Sequence, residues 1–245
     1  YWFGENYQKK IKTIGSKLIC IDDLANHFYH SDIIINHSLN FDVSKYKTRS
    51  YTKIFTGLEY LLLRPSFYKK INRKKNPKKK LLVFIGGIDN FSITYRVASI
   101  VNKIHPSLDI NIILSSSFLD DHKKKLKNLE KLNKNINLFE DLSGSKIVKI
   151  LDNSTHAVVS SSNVLMEAYS RKLFAATGFY SKNQNHIYNS MTEKKIAYGL
   201  GNFIEICDKK LKSKLKIYLS KNIELDFCDQ KFSIKKIEKI FLNAA

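Results

Sequence analysis

The stretch from Ala157 to Gln184 reads AVVSSSNVLMEAYSRKLFAATGFYSKNQ, and its pattern sets the fold class. Ala157–Ser160 is a short apolar run of strand length. Ser160, Ser161, Ser162 and Asn163 then crowd a turn. Serine and asparagine there are N-cap residues, so a helix is expected to follow with its first backbone N–H groups exposed. A helix N-terminus at the end of a buried strand is a ready anion site. Glu167 lies four residues beyond Asn163 and shares its helix face. One turn below an anion site, such a carboxylate can accept hydrogen bonds from a ribose diol. Leu173–Thr177 reads as the next strand, and Lys182, Asn183, Gln184 and Asn185 as a polar loop after it. Two neighbouring strand ends would then carry polar residues at one sheet edge, where open α/β sheets bind ligands. On spacing alone, the serines and Asn163 serve equally well as a plain capped turn.

The same alternation extends outward. Leu81–Ile85 reads as a strand closing on Gly86-Gly87, followed by a helix over Ile93 to Ile104 that Pro106 ends. Ile110–Leu114 is a strand, Asp120–Leu132 a lysine-rich helix, and Ile136–Leu138 a strand leading into Phe139-Glu140-Asp141-Leu142-Ser143. A short helix spans Lys146–Leu151. Beyond the opening stretch, Ile204–Cys207 is a candidate last strand, and Lys209–Ser220 and Ser233–Leu242 read as surface helices with apolar stripes. Strands alternating with helices imply a mostly parallel sheet with right-handed crossovers.

Residues 1–80 read as part of a second α/β domain. Glu5–Ile14 is helical in pattern and Gly15 ends it. Lys17–Ile21 and Ile33–Asn36 are strand candidates, residues 40–56 are polar and unpatterned, and Pro65 is expected to stop any regular element. Two strands would leave exposed edges. The chain opens on Tyr1-Trp2-Phe3 without an initiator methionine. Together these features lead us to expect further strands before Tyr1. The expected division is a partial Rossmann-like domain over 1–80, closing in a basic linker over 69–80, and a Rossmann-like domain over 81–245.

Composition narrows the partners. The 245 residues carry a formal net charge of +20, which invites nucleic acid or membrane. Only five of the 42 basic residues are arginine, the side chain suited to bidentate phosphate and base recognition. A solvated lysine surface is therefore expected, with no nucleic-acid partner. Eight of the twelve residues from Lys69 to Lys80 are basic, and a solvated linker is preferred there to a phosphate or acidic-partner site. Cys20, Cys207 and Cys228 have neither metal nor redox spacing, which fits a reducing cytosol. No apolar run approaches the length of a membrane span, and no cofactor or metal is expected. Oligomeric state is not legible.

Gly86-Gly87 lets backbone N–H groups approach a phosphate. Paired with the Ser160–Asn163 turn, two helix N-termini of one sheet would hold a diphosphate without a metal. Phe139 and Leu142, at a further strand end, offer a place for a flat base. Before any resemblance is considered, ordinary core packing is the preferred reading of these residues and of the glycine pair.

The order G-G-x-D, N-L-F-E-D, S-S-S-N-V-L-M-E-A and K-N-Q resembles the C-terminal domain of GT-B nucleotide-sugar enzymes. More closely, the chain resembles the UDP-2,4-diacetamido-2,4,6-trideoxy-β-L-altropyranose hydrolase family of pseudaminic acid biosynthesis, itself related in fold to the peptidoglycan UDP-GlcNAc transferase. The likeness runs from Tyr1 to about Glu205 and includes I-D-D at 21–23, I-N at 35–36 and G-L-E-Y-L-L-L-R at 57–64. The implied fold is GT-B-like, with two Rossmann-like domains of parallel sheets and the N-terminal one incomplete.

The resemblance implies that Glu167 meets the uridine ribose, that Gly86, Gly87, Ser162 and Asn163 flank the diphosphate, and that the loop around Phe139 meets uracil. It places Asn183 towards the sugar with Gln184 beside it, and Tyr1 at the reaction centre. The implied reaction is attack of water on the anomeric carbon, with inversion and loss of UDP. The family's opening G-x-G-H-x-x-R, whose histidine is the general base, is absent here. None of His27, His30, His37, His105, His122, His156 and His186 follows a G-x-G, so a fragment that holds UDP but turns over poorly is expected. A GT-B UDP-sugar glycosyltransferase and a non-enzymatic basic binding module remain the alternatives.

Overall fold

The computed structural model describes residues 3–71, 78–87, 89–115, 117–221 and 234–242. The chain forms two compact units, one of Tyr1–Leu62 with Cys228–Ala245 and one of Leu63–Phe227. The division expected at 80/81 thus falls elsewhere. The segment from Leu63 packs with the second unit, and the C-terminal helix joins the first.

In the first unit, α1 (Glu5–Thr13) ends where Gly15 takes a φ of +76°, a conformation that costs glycine little. β1 (Ile19–Ile21) follows, then β2 (Phe28–Tyr29), β3 (Ile33–Asn36), β4 (Lys47–Thr48) and β5 (Lys53–Thr56). β1, β3 and β5 make a parallel sheet with β3 central, and β2 pairs with β4. β3 is buried on both faces, as its unbroken apolar run requires. Ile33 and Ile35 point to one face and Ile34, packed with Tyr29 and Tyr46, to the other. β4 and β5 lie inside the polar stretch read as unpatterned, because their residues are only half-buried or exposed and carry no alternating signal.

The second unit holds β6 (Lys80–Phe84), α2 (Ile93–Ile104), β7 (Asp109–Leu114), α3 (Asp120–Leu132), β8 (Ile136–Glu140) and α4 (Gly144–Asp152). β9 (His156–Ser160), α5 (Asn163–Ser170), β10 (Ala175–Phe179), α6 (Lys182–Glu193), β11 (Tyr198–Asn202) and α7 (Asp208–Ser220) complete it. α8 (Ile234–Leu242) returns to the first unit, where Ile240 covers Ile33 and Ile35. All six strands are parallel, in the order β11-β10-β9-β6-β7-β8. The chain winds outward from β6 to β8, returns to β9 beside β6, and winds the other way to β11. Right-handed crossovers put α2 and α3 on one face and α5 and α6 on the other, and the chain then returns α7 to the first face beside α2. Leu81, Val83, Val158 and Ala176 meet Val97 and Val101 of α2 and Leu211 and Leu215 of α7 in one continuous core. Each fully buried valine or leucine among them contributes roughly 1.5–3 kcal/mol.

Three expectations are corrected here. Pro65 does not stop a regular element but begins a short 3-10 turn over Pro65–Tyr68, where its missing N–H costs nothing. Lys182–Asn185 is not a loop but the first turn of α6. Ile204–Cys207 lies outside the sheet, whose last strand is β11. β11 was hidden by Gly199 and Gly201, yet glycine is needed there: a Cβ on Gly199 would stand 2.6 Å from the Tyr188 hydroxyl. Across the pair, a Cβ on Gly178 would stand 2.6 Å from the Gly201 carbonyl oxygen.

Candidate functional site

The strand order reverses between β6 and β9, and in open parallel sheets ligands bind outside the carboxyl ends at such a switch point. β6 ends on Gly86-Gly87 and β9 on the serine turn. The two ends lie against each other: a Cβ on Gly86 would stand 3.7 Å from Ser160 Oγ and 3.9 Å from Val164 Cγ2. Gly86 has a φ of +114°, which other residues rarely adopt. A Cβ on Gly87 would meet nothing within 4 Å, so its backbone fronts open space.

The serines divide the work. Ser161 is buried and bonds Thr177 Oγ1 at 2.9 Å and the Gly178 carbonyl at 3.1 Å, fastening β9 to β10. Ser160 Oγ and Ser162 Oγ are 2.8 Å apart. Ser162 is the N-cap of α5, its hydroxyl accepting from Val164 N–H at a long 3.4 Å. Asn163 opens α5 and is exposed. The N-terminus of α5 is thus only lightly capped, by a neutral hydroxyl.

The N-terminus of α2 differs and corrects the expectation of two open helix ends. Asp89, 2% exposed, accepts from Ile93 N–H at 2.8 Å and Thr94 N–H at 2.7 Å. The chain's own carboxylate already occupies that anion position. What β6 offers is the Gly86-Gly87 backbone.

Glu167 is buried on α5 one turn beyond Asn163. It pairs with Arg64, whose Nη2 donates to Oε1 at 2.7 Å. Burial pushes the Glu167 carboxyl above the ordinary carboxylate range, and the Arg64 hydrogen bond and charge pull it partly back. Arg64 was missed as a site residue. Its partner lies 103 positions away, and nothing local marks it. The turn that bears it is locked by Arg171, which is fully buried. Arg171 donates to both Asp152 carboxylate oxygens at 2.8 and 2.6 Å and to the Lys69 carbonyl at 2.6 Å.

α6 begins at the end of β10, beside β9. Asn183, exposed in its first turn, accepts from Ser181 Oγ at 2.7 Å. Gln184 is buried and folds back, its Oε1 accepting from Tyr180 N–H at 3.1 Å. The pattern S-x-x-Q at 181–184 is a helix-start signature that marks this element in the sequence. Phe139 sits within β8 rather than in a loop, paired with Ile113 and half-buried on the edge strand. Two strand spacings, roughly 10 Å, separate β8 from β6. Tyr1 lies outside the described residues, as do residues 72–77 of the basic run. In the described part of that run, Lys79 bonds the Leu219 carbonyl and Lys80 opens β6, so both belong to the second unit and not to a linker.

Several histidines have structural partners. His30 Nε2 lies 3.2 Å from Glu5 Oε1, His27 stacks on Tyr29 at 4.1 Å, and His156 Nε2 lies 3.0 Å from the Lys221 carbonyl. Among the described residues, no group of three or more His, Cys, Asp or Glu side chains is placed to hold a metal ion, and no helix is long and apolar enough to cross a membrane.

No family model matches the chain. The UDP-2,4-diacetamido-2,4,6-trideoxy-beta-L-altropyranose hydrolase of Campylobacter jejuni subsp. jejuni serotype O:2 is 29% identical over 197 residues, covering 79% of this chain and 69% of that protein. The chain resembles this hydrolase. Among solved structures, MurG of Acinetobacter baumannii matches with a TM-score of 0.59 at 10% identity, over 91% of this chain and 63% of that one. UGT89C1 of Arabidopsis thaliana matches with a TM-score of 0.58 at 11% identity, over 95% of this chain and 64% of that one. The chain thus spans less than two thirds of each solved relative. The fold is α/β with parallel sheets, of the GT-B kind.

Proposed function

We propose that the second unit binds the UDP part of a UDP-linked sugar, and that the chain acts on such a substrate as its hydrolase relative does. The carrying observation is the apposition of Gly86 to the Ser160–Val164 turn at the switch point, with a buried carboxylate, Glu167, one helical turn below. In this reading the diphosphate lies between the Gly86-Gly87 backbone and the α5 N-terminus, where Ser162 and Asn163 present N–H groups and a positive dipole end. Glu167 accepts from the ribose diol. Phe139 lies towards the base. Asn183 and Gln184, at the next strand end, lie on the sugar side, with Tyr1 assigned there by resemblance alone.

The chemistry follows from those positions. Breaking the anomeric C–O bond leaves negative charge on the departing diphosphate, and preorganised N–H groups stabilise it as it develops. Water attacks from the opposite face, so the sugar is released with inversion and UDP leaves intact. The substrate we assign is a UDP-linked diacetamido-trideoxy sugar.

Phosphorus NMR of such a UDP-sugar mixed with the chain tests this. Its diphosphate resonances are expected to shift on binding, and any turnover is expected to yield UDP and free sugar with no acceptor present. UDP formed only when an acceptor hydroxyl is supplied assigns a transferase instead. Unperturbed resonances contradict both.

A further inference from the structure

Arg64 and Glu167 form an ion pair that is poorly built for stability. Arg64 keeps 45% of its side chain exposed, so solvent screens its attraction to the carboxylate. Glu167 is buried at a cost, as the upward shift of its carboxyl records. Such an arrangement makes sense where a carboxylate must be aimed.

The guanidinium is itself aimed. Its backbone carbonyl accepts from Phe67 N–H at 2.9 Å, closing the turn that Pro65 begins. Its charge lies 5.1 Å from the Phe67 ring centroid. On another side it meets Gly144 at the start of α4, where a Cβ would stand 3.5 Å from both Arg64 Cδ and Nε. Arg64 bonds Oε1 of Glu167, and no bond to Oε2 occurs among the described residues.

We infer that Arg64 is a positioning residue: it holds the Glu167 carboxylate by one oxygen so that the other accepts the ribose diol of the nucleotide. This inference rests on the UDP-binding reading above. Arg64 touches the carboxylate, not the ribose, so its influence on affinity passes through Glu167 alone.

Calorimetric titration of the full chain with UDP and with 2′,3′-dideoxy-UDP tests it. The proteins are wild type, Arg64→Met, Arg64→Lys, Glu167→Gln and the Arg64→Met/Glu167→Gln double variant, each checked for fold by its melting temperature. Arg64→Met is expected to weaken UDP about tenfold, and Arg64→Lys less. The double variant is expected to bind UDP no more weakly than Glu167→Gln alone. Dideoxy-UDP, which lacks the diol, is expected to bind wild type and all variants alike. Equal losses for UDP and dideoxy-UDP in Arg64→Met overturn the inference, because Arg64 then acts on the phosphates or on the fold. Additive losses in the double variant overturn it, as does an unchanged UDP affinity in Arg64→Met. Failure of wild type to bind UDP overturns the site reading, and this inference with it.

Discussion

Two arginine–carboxylate pairs hold the same short stretch, from Arg64 to Lys70, against α4 and α5, and they are built to opposite specifications. Arg171 and Asp152 are both buried and join by two parallel hydrogen bonds, and the rest of the guanidinium goes to the carbonyls of Phe67, Lys69 and Lys70. Arg64 and Glu167 share a single bond, with the arginine half in solvent and one carboxylate oxygen uncommitted among the described residues. A saturated pair has nothing left to offer a ligand. An unsaturated pair on the same scaffold does, and the saturated one keeps it in place. The two helix N-termini repeat the lesson: α2 is closed by Asp89, and α5 is left to a weakly placed serine hydroxyl.

The comparison breaks first at Arg171. Arg171→Met leaves the Asp152 charge buried and unpaired, and breaking such a pair costs about 3–5 kcal/mol. A large fall in melting temperature is expected, with UDP affinity declining alongside it as the Arg64 turn loosens. A melting temperature near that of wild type would remove the distinction between the two pairs.

Glu167 sharpens it next, through pH. Burial raises its folded carboxyl value, so protonation begins at a pH where an exposed carboxylate is still ionised. UDP affinity is expected to fall as the pH drops through that raised value, and in Arg64→Met the fall moves to higher pH because the charge that opposes protonation is gone. Stability runs the other way. The folded state holds this proton more tightly than the unfolded chain, so the contribution of Glu167 is greatest in acid and is lost as pH rises through its folded value. At neutral pH, Glu167→Gln is therefore expected to melt no lower than wild type while binding UDP more weakly. A variant that melts well below wild type would make the pair structural after all.

Much of this was legible in the chain. The apolar spacing of Ile93–Ile104 and the Lys-rich run Asp120–Leu132 gave α2 and α3 their observed bounds, because helical periodicity over three turns is a strong signal. The serine turn and Glu167 stood out because N-cap chemistry is local. What failed was partly non-local and partly local signal left unread. Gly199 and Gly201 weaken β11 as a strand in isolation, and only the packing of Tyr188 on Gly199 and the φ of +100° at Gly201 explain them. α6 opens on four polar residues and was taken for a loop. The closure of α2 by Asp89, four residues before Ile93, was within local reach and was overlooked in favour of the glycines. Arg64 could not be assigned at all, since the fold alone brings it to Glu167.

The smallest expected effect concerns Gly86. Gly86→Ala meets no hard clash, with contacts at 3.7 and 3.9 Å, so its cost is the backbone strain at φ +114°, about 1–3 kcal/mol. A modest fall in melting temperature with a matching shift of the turn is expected, smaller than that of Arg171→Met.

The central claim is that the second unit holds UDP with Glu167 on the ribose. Calorimetric titration of wild type and Glu167→Ala with UDP tests it most directly. The account predicts saturable one-to-one binding by wild type, weakened at least tenfold in Glu167→Ala while the melting temperature holds. Absence of UDP binding by wild type, or equal affinity in the two proteins, would contradict it.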